Sequence, residues 1–416
     1  MTSGESPESL SAPEPVSTDV FIAGGGMVGM TLGIALADAG LEVVVADAES
    51  PEAAVAPAFD GRASAIAYAS YRLLERIGVW QYLGPETQPI EEIRVSDGAS
   101  RLFLHFDQAE LGEGPLGYMA ENRHIRAALF ARAEGLDGLT FLAPEKVVEV
   151  ARDGAWAQAQ LAGGGTVRSA LVAAADGRMS RMRKAAGIRT TAWRYEQAGI
   201  VATIAHELPH CSIAHERFLP PGPFAILPLT GNRSSLVWTT DADLAPTIMA
   251  LTEAGFAAEV AKRVGGFLGQ TEIVGPRFSY PLGLHVSERY TADRLALVGD
   301  AAHGIHPIAG QGLNLGFRDV AALVEVLADA HRLGQDLGQA TVLDRYARWR
   351  RADNLVLAAV TDGLNRLFSN DFPPLRLARD IGLGMVNKLP PARRFFMRHA
   401  RGTVGKLPKL LRGEAV

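Results

Sequence analysis

The chain has 416 residues, 48% hydrophobic and 21% charged, the balance of a globular protein with apolar mass for two or three domains' worth of core. Its formal net charge of -5 predicts no nucleic-acid partner, and a single cysteine, Cys211, excludes an internal disulfide framework and fits a reducing compartment. No apolar stretch approaches the roughly 18 residues that span a bilayer, so the chain is expected in the cytoplasm or at the periphery of a membrane.

Residues 1–18 are rich in Ser, Pro and Glu and hold no Lys or Arg. This predicts a disordered tail and neither a secretory signal nor a transit peptide. Asp19 to Ala23 reads as a buried strand, and Gly24-Gly25-Gly26-Met27-Val28-Gly29 follows it into a helix through Leu32, Ile34 and Leu36. In that context the G-x-G-x-x-G spacing points to a dinucleotide site. Gly24 makes the tight turn, Gly26 admits a pyrophosphate, and Gly29 lets helix pack on strand. The next strand, Leu41 to Ala46, ends at Asp47, 47 − 29 = 18 residues past the last glycine, where a carboxylate can bind ribose hydroxyls.

Phe59-Asp60-Gly61-Arg62 is expected to open a helical segment reaching Leu73, Leu74 and Trp80, with Arg62 either a cofactor contact or a solvated surface group. Short alternating strands between Glu91 and Phe106 take the chain out of the nucleotide domain. It returns near Met119, where Glu121-Asn122-Arg123 precedes a helix through Ile125 and Leu129. Ala170 to Ala175 is another apolar strand, and Asp176-Gly177-Arg178-Met179-Ser180-Arg181 repeats the first unit's logic of acid at the tip, glycine turn and helix-capping Ser. From Trp193 to about Gly275 the texture is a separate β-rich layer, with strands at Gly199 to Ile204, Phe224 to Leu229 and Ser234 to Thr240 and a helix at Leu251 to Gly265. Trp193, Phe218, Phe224 and Trp238 either line an apolar pocket or fill core. Cys211 reads as a buried filler.

Arg294 to Asp319 is the stretch around which the rest is organised. Leu295 to Val298 is strand-like, Gly299-Asp300 ends it, and a Gly-rich loop leads to a helix starting near Leu313. Gly310 and Gly312 let the backbone approach a flat ring, and the first helical N–H groups carry a partial positive charge suited to the N1/C2=O edge of a reduced flavin. Asp300 is placed to accept hydrogen bonds from ribityl hydroxyls. His303 and His306 have no carboxylate or Cys at ligand spacing, so no metal is expected. Helices follow to about Phe368. Lys388 to Arg412 then holds Lys388, Arg393, Arg394, Arg398, Arg401, Lys406, Lys409 and Arg412 without an acid, interleaved with Phe395, Phe396, Met397, Leu407, Leu410 and Leu411. That pattern suits an anionic membrane surface, or a solvated helix face that closes the domain.

The first glycine motif with Asp47, the central Asp176-Gly177-x-x-Ser180, and Gly299-Asp300 with its loop resemble the three motifs of flavin-dependent aromatic hydroxylases related to p-hydroxybenzoate hydroxylase. Gly299-Asp300-Ala301-Ala302-His303, His306 to Asn314, Leu116 to Arg123, Ala225 to Leu229, Arg348 to Asn354 and Thr361 to Leu364 resemble the narrower ubiquinone-biosynthesis hydroxylases. The resemblance implies an α/β fold in which a Rossmann-like FAD-binding domain is interleaved with a β-sheet substrate domain and followed by a helical C-terminus. The expected boundaries are 19–90, 110–190 and 276–340 for FAD binding, 91–109 and 191–275 for the substrate layer, and 341–416 for a basic, membrane-docking segment. By resemblance Gly24, Gly26, Gly29 and Asp47 hold the ADP part of FAD, and Arg62, Asn122, Gly299 and Asp300 the rest of its chain. Gly310, Gln311, Gly312, Leu313 and Asn314 contact the isoalloxazine, Pro307 shapes the space at the ring edge, and Asp176 and Arg178 serve both FAD and passing NAD(P)H.

The implied cycle is reduction of FAD by NAD(P)H, addition of O2 at flavin C4a, and delivery of one oxygen from the hydroperoxide to a phenol ring, with no side chain required as acid or base. The implied substrate is a polyprenylated phenol, with a ubiquinone-biosynthesis complex and the inner membrane as the surroundings. Three rivals stand beside it: a hydroxylase of a soluble aromatic, a reductase of prenyl double bonds, and a non-catalytic flavoprotein subunit.

Overall fold

A computed structural model describes residues 15–56, 58, 60–98, 103–112, 114–219, 222–304, 311–351 and 387–416. The chain opens with β1 (Val16–Ala23), α1 (Met27–Asp38) and β2 (Val43–Ala46). β3 (Ala63–Ala67) leads into α2 (Tyr68–Arg76), and β4 (Thr87–Ile90), β5 (Glu92–Asp97), β6 (Phe103–Asp107) and β7 (Gly117–Glu121) precede α3 (Asn122–Ala133). The strands β8 (Leu139–Leu142), β9 (Val147–Asp153), β10 (Trp156–Leu161) and β11 (Thr166–Ala174) end at the short helix α4 (Arg181–Ala185). Next come β12 (Thr190–His206), β13 (Ile213–Leu219), β14 (Gly222–Leu229), β15 (Arg233–Asp241), α5 (Glu253–Val264) and β16 (Thr271–Ser287). The short strands β17 (Thr291–Ala292), β18 (Leu295–Leu297) and β19 (His303–Gly304) precede α6 (Gln311–Arg332), and α7 (residues 340–351) and α8 (Pro390–Ala400) follow.

The described residues form three sheets. In the first, β18, β11, β1, β2 and β8 are parallel neighbours, so both faces need cover and the strands read as unbroken apolar runs. Val20, Phe21 and Ile22 are fully buried there, as are Leu32, Ile34 and Leu36 of α1 and Val320, Leu323 and Val324 of α6. The second sheet has the order β19-β16-β12-β15-β14-β13-β5-β6 and is antiparallel except where β13 meets β5. One of its faces carries Ile200, Ile204, Phe224, Ile226 and Trp238 against Phe256, Val260 and Val264 of α5. The opposite face, with Ala214, Phe218 and Leu229, meets Met119 of the small third sheet β3-β7-β4 and Met397 of α8.

Several expectations shift. β1 begins at Val16, three residues before Asp19, while residues 1–14 lie outside the described residues. The segment after Arg62 is a strand before it is a helix: β3 pairs with β7 from Ala63↔Glu121 to Ala67↔Gly117. β16 crosses the boundary expected at 276 and belongs wholly to the second sheet. Gly275, at φ 75, and Pro276 fall in an interruption of its ladder between the pairs Thr203↔Val274 and Val201↔Phe278, where they mark a bulge. Phe218, Phe224 and Trp238 are core, and Trp193 is exposed. Cys211 is also exposed, in a left-handed turn at φ 51, and so is no core filler.

Candidate functional site

The tips of β1, β11 and β18 lie side by side because these three strands are adjacent and parallel, and each tip carries one motif. At the first tip Gly24 has φ 106, and a Cβ added to it would lie 2.4 Å from the Ala175 carbonyl oxygen. A Cβ on Gly29 would lie 1.9 Å from the Gly24 oxygen, whereas one on Gly26 meets no protein atom within 4 Å. Two glycines are thus required by the protein itself, and the third keeps a surface open at the N-terminus of α1. No side chain caps that end and no acid lies in its first turn, which leaves its N–H groups and positive dipole end for an anion. Asp47 is tied to the same loop: its Oδ2 accepts from Gly25 N at 2.5 Å and its Oδ1 from Glu49 N at 2.8 Å.

At the second tip, Asp176 Oδ2 accepts from the N–H groups of Arg181 and Met182, and Ser180 caps α4 through Arg183 N at 3.0 Å. Asp176 Oδ1 is a buried oxygen without a hydrogen-bond partner among the described residues. Arg183 joins this loop to the third tip, donating to the Ala301 carbonyl at 2.7 Å and to the Arg178 carbonyl at 2.9 Å. At the third tip Gly299 adopts φ 58 against Val28 of α1, and Asp300 is exposed while its carbonyl accepts from His285 Nε2 at 2.9 Å.

The third loop is anchored from below. Asp319, fully buried on α6, accepts from Gly299 N at 2.9 Å, from His303 Nε2 at 2.6 Å and from Arg350 Nε at 2.8 Å. Burial pushes its carboxyl up, but the charges of His303 and Arg350 outweigh that and bring it down to about 2. His303 is therefore committed to a hydrogen bond with Asp319, and His306 lies outside the described residues.

A second polar cluster sits beside β3. Asp60 accepts two bonds from the Arg62 guanidinium and one from its backbone N–H, one from Asn122 and one from Arg126. Burial opposes its ionised form, and these donors outweigh burial and hold the carboxyl well below its usual range. Arg62 lies 4.8 Å above the Tyr280 ring, within electrostatic reach of Asp300, with its side chain 48% exposed. Asn122 belongs to the same cluster. It is 2% exposed, its Oδ1 accepts from Ser64 and its Nδ2 donates to Asp60, so it orders the carboxylate that orders Arg62.

Asn314 joins two elements. Its Oδ1 accepts from Ala67 N at 2.9 Å and its Nδ2 donates to the Ala65 carbonyl at 2.8 Å, clasping β3 to the start of α6. Gln311 opens that helix, Leu313 packs partly on the core, and a Cβ on Gly312 meets nothing within 4 Å. Pro307 and Gly310 lie outside the described residues, as do Ala352 to Asn354 and Thr361 to Leu364. Asp60, Arg126, Arg183 and Asp319 escaped the sequence reading, because their partners are distant in the chain and no spacing marks them. Among the described residues one group has metal-ligand geometry: Glu92, His105 and Asp107 on β5 and β6, where Arg94 already pairs with Glu92.

An arrangement of three loops at the ends of parallel strands, with an open glycine at a helix N-terminus, defines a dinucleotide-binding fold. A family model described as an FAD binding domain matches residues 17–359. The ubiquinone hydroxylase UbiL of Rhodospirillum rubrum is 54% identical, covering 95% of this chain and 92% of that protein. The 3-demethoxyubiquinol 3-hydroxylase of Escherichia coli is 36% identical, covering 92% and 98%. The p-nitrophenol 4-monooxygenase PnpA of Pseudomonas putida shares the fold with a TM-score of 0.80 at 21% identity, covering 94% of this chain and 99% of that one. The chain belongs to the family of FAD-dependent hydroxylases of ubiquinone biosynthesis. The open face at Gly26 and the unpartnered Asp176 Oδ1 fit FAD as its resident cofactor.

Proposed function

We propose that this chain hydroxylates the aromatic ring of a polyprenylated phenol in ubiquinone biosynthesis, using NAD(P)H and O2. The observation that carries the reading is 54% identity to a ubiquinone hydroxylase over almost the whole chain, on a framework whose three strand tips suit FAD. Bound FAD supplies the redox chemistry that lets O2 react with a ring carbon. The chain's own residues hold and orient it. Gly26 and the first N–H groups of α1 take the diphosphate, Asp47 the adenosine ribose, and Asp300 the ribityl hydroxyls. Arg62, fixed by Asp60, and the N–H groups of Gly312 and Leu313 would hold the ring system. Deleting the gene and identifying the accumulated lipid by mass spectrometry tests the pathway: a prenylated phenol short of one hydroxyl is expected, and unchanged ubiquinone contradicts it unless a paralogue supplies the step.

The proposal extends to an anionic membrane surface as the place where a prenyl tail is met. No helix among the described residues is long and apolar enough to cross a membrane. The basic C-terminal segment divides in two. Met397, Leu410 and Leu411 are buried and seat it, whereas Leu389, Phe395 and Phe396 are 52%, 56% and 44% exposed beside exposed Lys388, Arg394 and Arg398. Replacing Phe395 and Phe396 together with Ser is expected to lower flotation with anionic vesicles several-fold while leaving the thermal midpoint unchanged. Wild-type flotation of this variant contradicts the docking role.

A further inference from the structure

The inner face of the second sheet carries a carboxyl with no task in the account so far. Along β13, Ala214, Glu216 and Phe218 point to one side and His215 and Arg217 to the other. Ala214 and Phe218 are buried in the cluster with Met119, Leu229 and Met397, whereas Arg217 donates to the Arg263 carbonyl on the far side. Glu216 stands opposite Ala225 on β14 and Val95 on β5, and Val95 packs on the same cluster. Ala63 and Ala65 of β3 join that cluster too, and β3 is the strand clasped by Asn314 at the start of α6. Glu216 therefore faces the apolar cluster that the second sheet shares with β3, the strand clasped to the start of α6.

Glu216 makes no hydrogen bond or ion pair among the described residues, and it is half-buried. Loss of hydration pushes its carboxyl up from 4.5 to about 7. An acceptor in apolar surroundings without a protein partner is costly unless a ligand group supplies the hydrogen bond. An apolar lining with one polar group is also the usual composition of a small-molecule site. Other charged groups on the surrounding elements are Asp97 of β5, Glu121 of β7 with Arg123 and Arg233, and Arg393 of α8 with Glu110. Arg394, Arg398 and His399 of α8 are exposed, His105 and Asp107 of β6 lie on the opposite face, and β14 has none.

We propose that Glu216 receives the phenolic hydroxyl of the substrate as its general base. The proton passes from the phenol oxygen to the Glu216 carboxylate, and the electron pair of the broken O–H bond stays on that oxygen and is delocalised into the ring. The ring carbon that takes oxygen is thereby enriched, and the proton returns from Glu216 to the hydroxylated product. This inference rests on the reading of the substrate as a prenylated phenol.

The test uses FAD-loaded protein and a short-chain prenylated phenol. A base must be ionised, so wild-type hydroxylation rises with pH through about 7. Glu216→Gln loses that rising limb and about a hundredfold in rate, and Glu216→Asp restores the limb in part. In equilibrium binding the wild type prefers the phenol to its methyl ether by about tenfold or more, and Glu216→Met abolishes the preference. The wild-type limb and the ether comparison stand even if a variant misfolds. A Gln variant with wild-type rate and pH limb, or a wild type indifferent to the methyl ether, overturns the assignment. A wild type that hydroxylates no phenol overturns the parent reading with it.

Discussion

Replacing Asp319 with Ala is expected to lower the unfolding free energy by about 3–5 kcal/mol and to strip the protein of FAD during gel filtration. The side chain is fully buried, and both of its oxygens are engaged. Removing it takes a shared acceptor from the buried Arg350 guanidinium, the His303 ring and the Gly299 N–H, and a buried charge deprived of its partner accounts for the larger destabilisations. The cofactor is affected because the same carboxylate holds the Gly299 N–H, which sets the turn presenting Asp300. Asp319 is held at about 2, below the ordinary value of 3.8, so its contribution is present above pH 3.8 and is lost only as pH falls through about 2. The loss in the variant is therefore undiminished at neutral pH. Asp319→Asn keeps an acceptor for Gly299 but drops the charge, and it should fall between the two. Wild-type chemical denaturation and FAD retention in the Ala variant would refute the anchoring role.

The glycines of the first loop separate a structural demand from a ligand's demand. Gly29→Ala forces a methyl to 1.9 Å from a backbone oxygen, and backbone cannot move aside cheaply, so α1 is pushed off β1. Expected results are a lower thermal midpoint and FAD affinity reduced by at least about a hundredfold, or roughly 3 kcal/mol. Gly26→Ala places its methyl where no protein atom lies within 4 Å, so the midpoint of the FAD-free protein should not change while FAD binding falls comparably. Calorimetry of the FAD-free proteins with fluorescence titration of FAD separates the two. A Gly26→Ala variant with normal affinity would show that the diphosphate does not run over this position.

How much of this was legible follows from the range of each interaction. Gly24, Gly26 and Gly29 could be read because local sterics dictate residue type at fixed spacing, and the parallel strands because burial on both faces leaves apolar runs. β3 was missed because Ala63–Ala67 has little strand character of its own and is held by β7 and by Asn314, 247 residues from Ala67. The Asp60 and Asp319 clusters were invisible for the same reason, since Asp60 meets Arg126 across 66 positions and Asp319 meets Arg350 across 31. Asn122 and Asn314 are legible as special positions, but their protein partners are not, because each side chain bonds groups far away in the chain around the site. Glu216 gave no signal, because a carboxylate in an alternating strand looks like an outward-facing residue until the sheet's cover is known.

The measurement that tests the central claim most directly is turnover of the purified, FAD-loaded protein with a prenylated phenol, NAD(P)H and isotopically heavy O2, followed by mass spectrometry of the ring. The account predicts one heavy oxygen atom per product ring and NAD(P)H consumption that depends on the phenol. Oxygen derived from water, or NAD(P)H oxidation that yields no hydroxylated ring with any prenylated phenol, would contradict it.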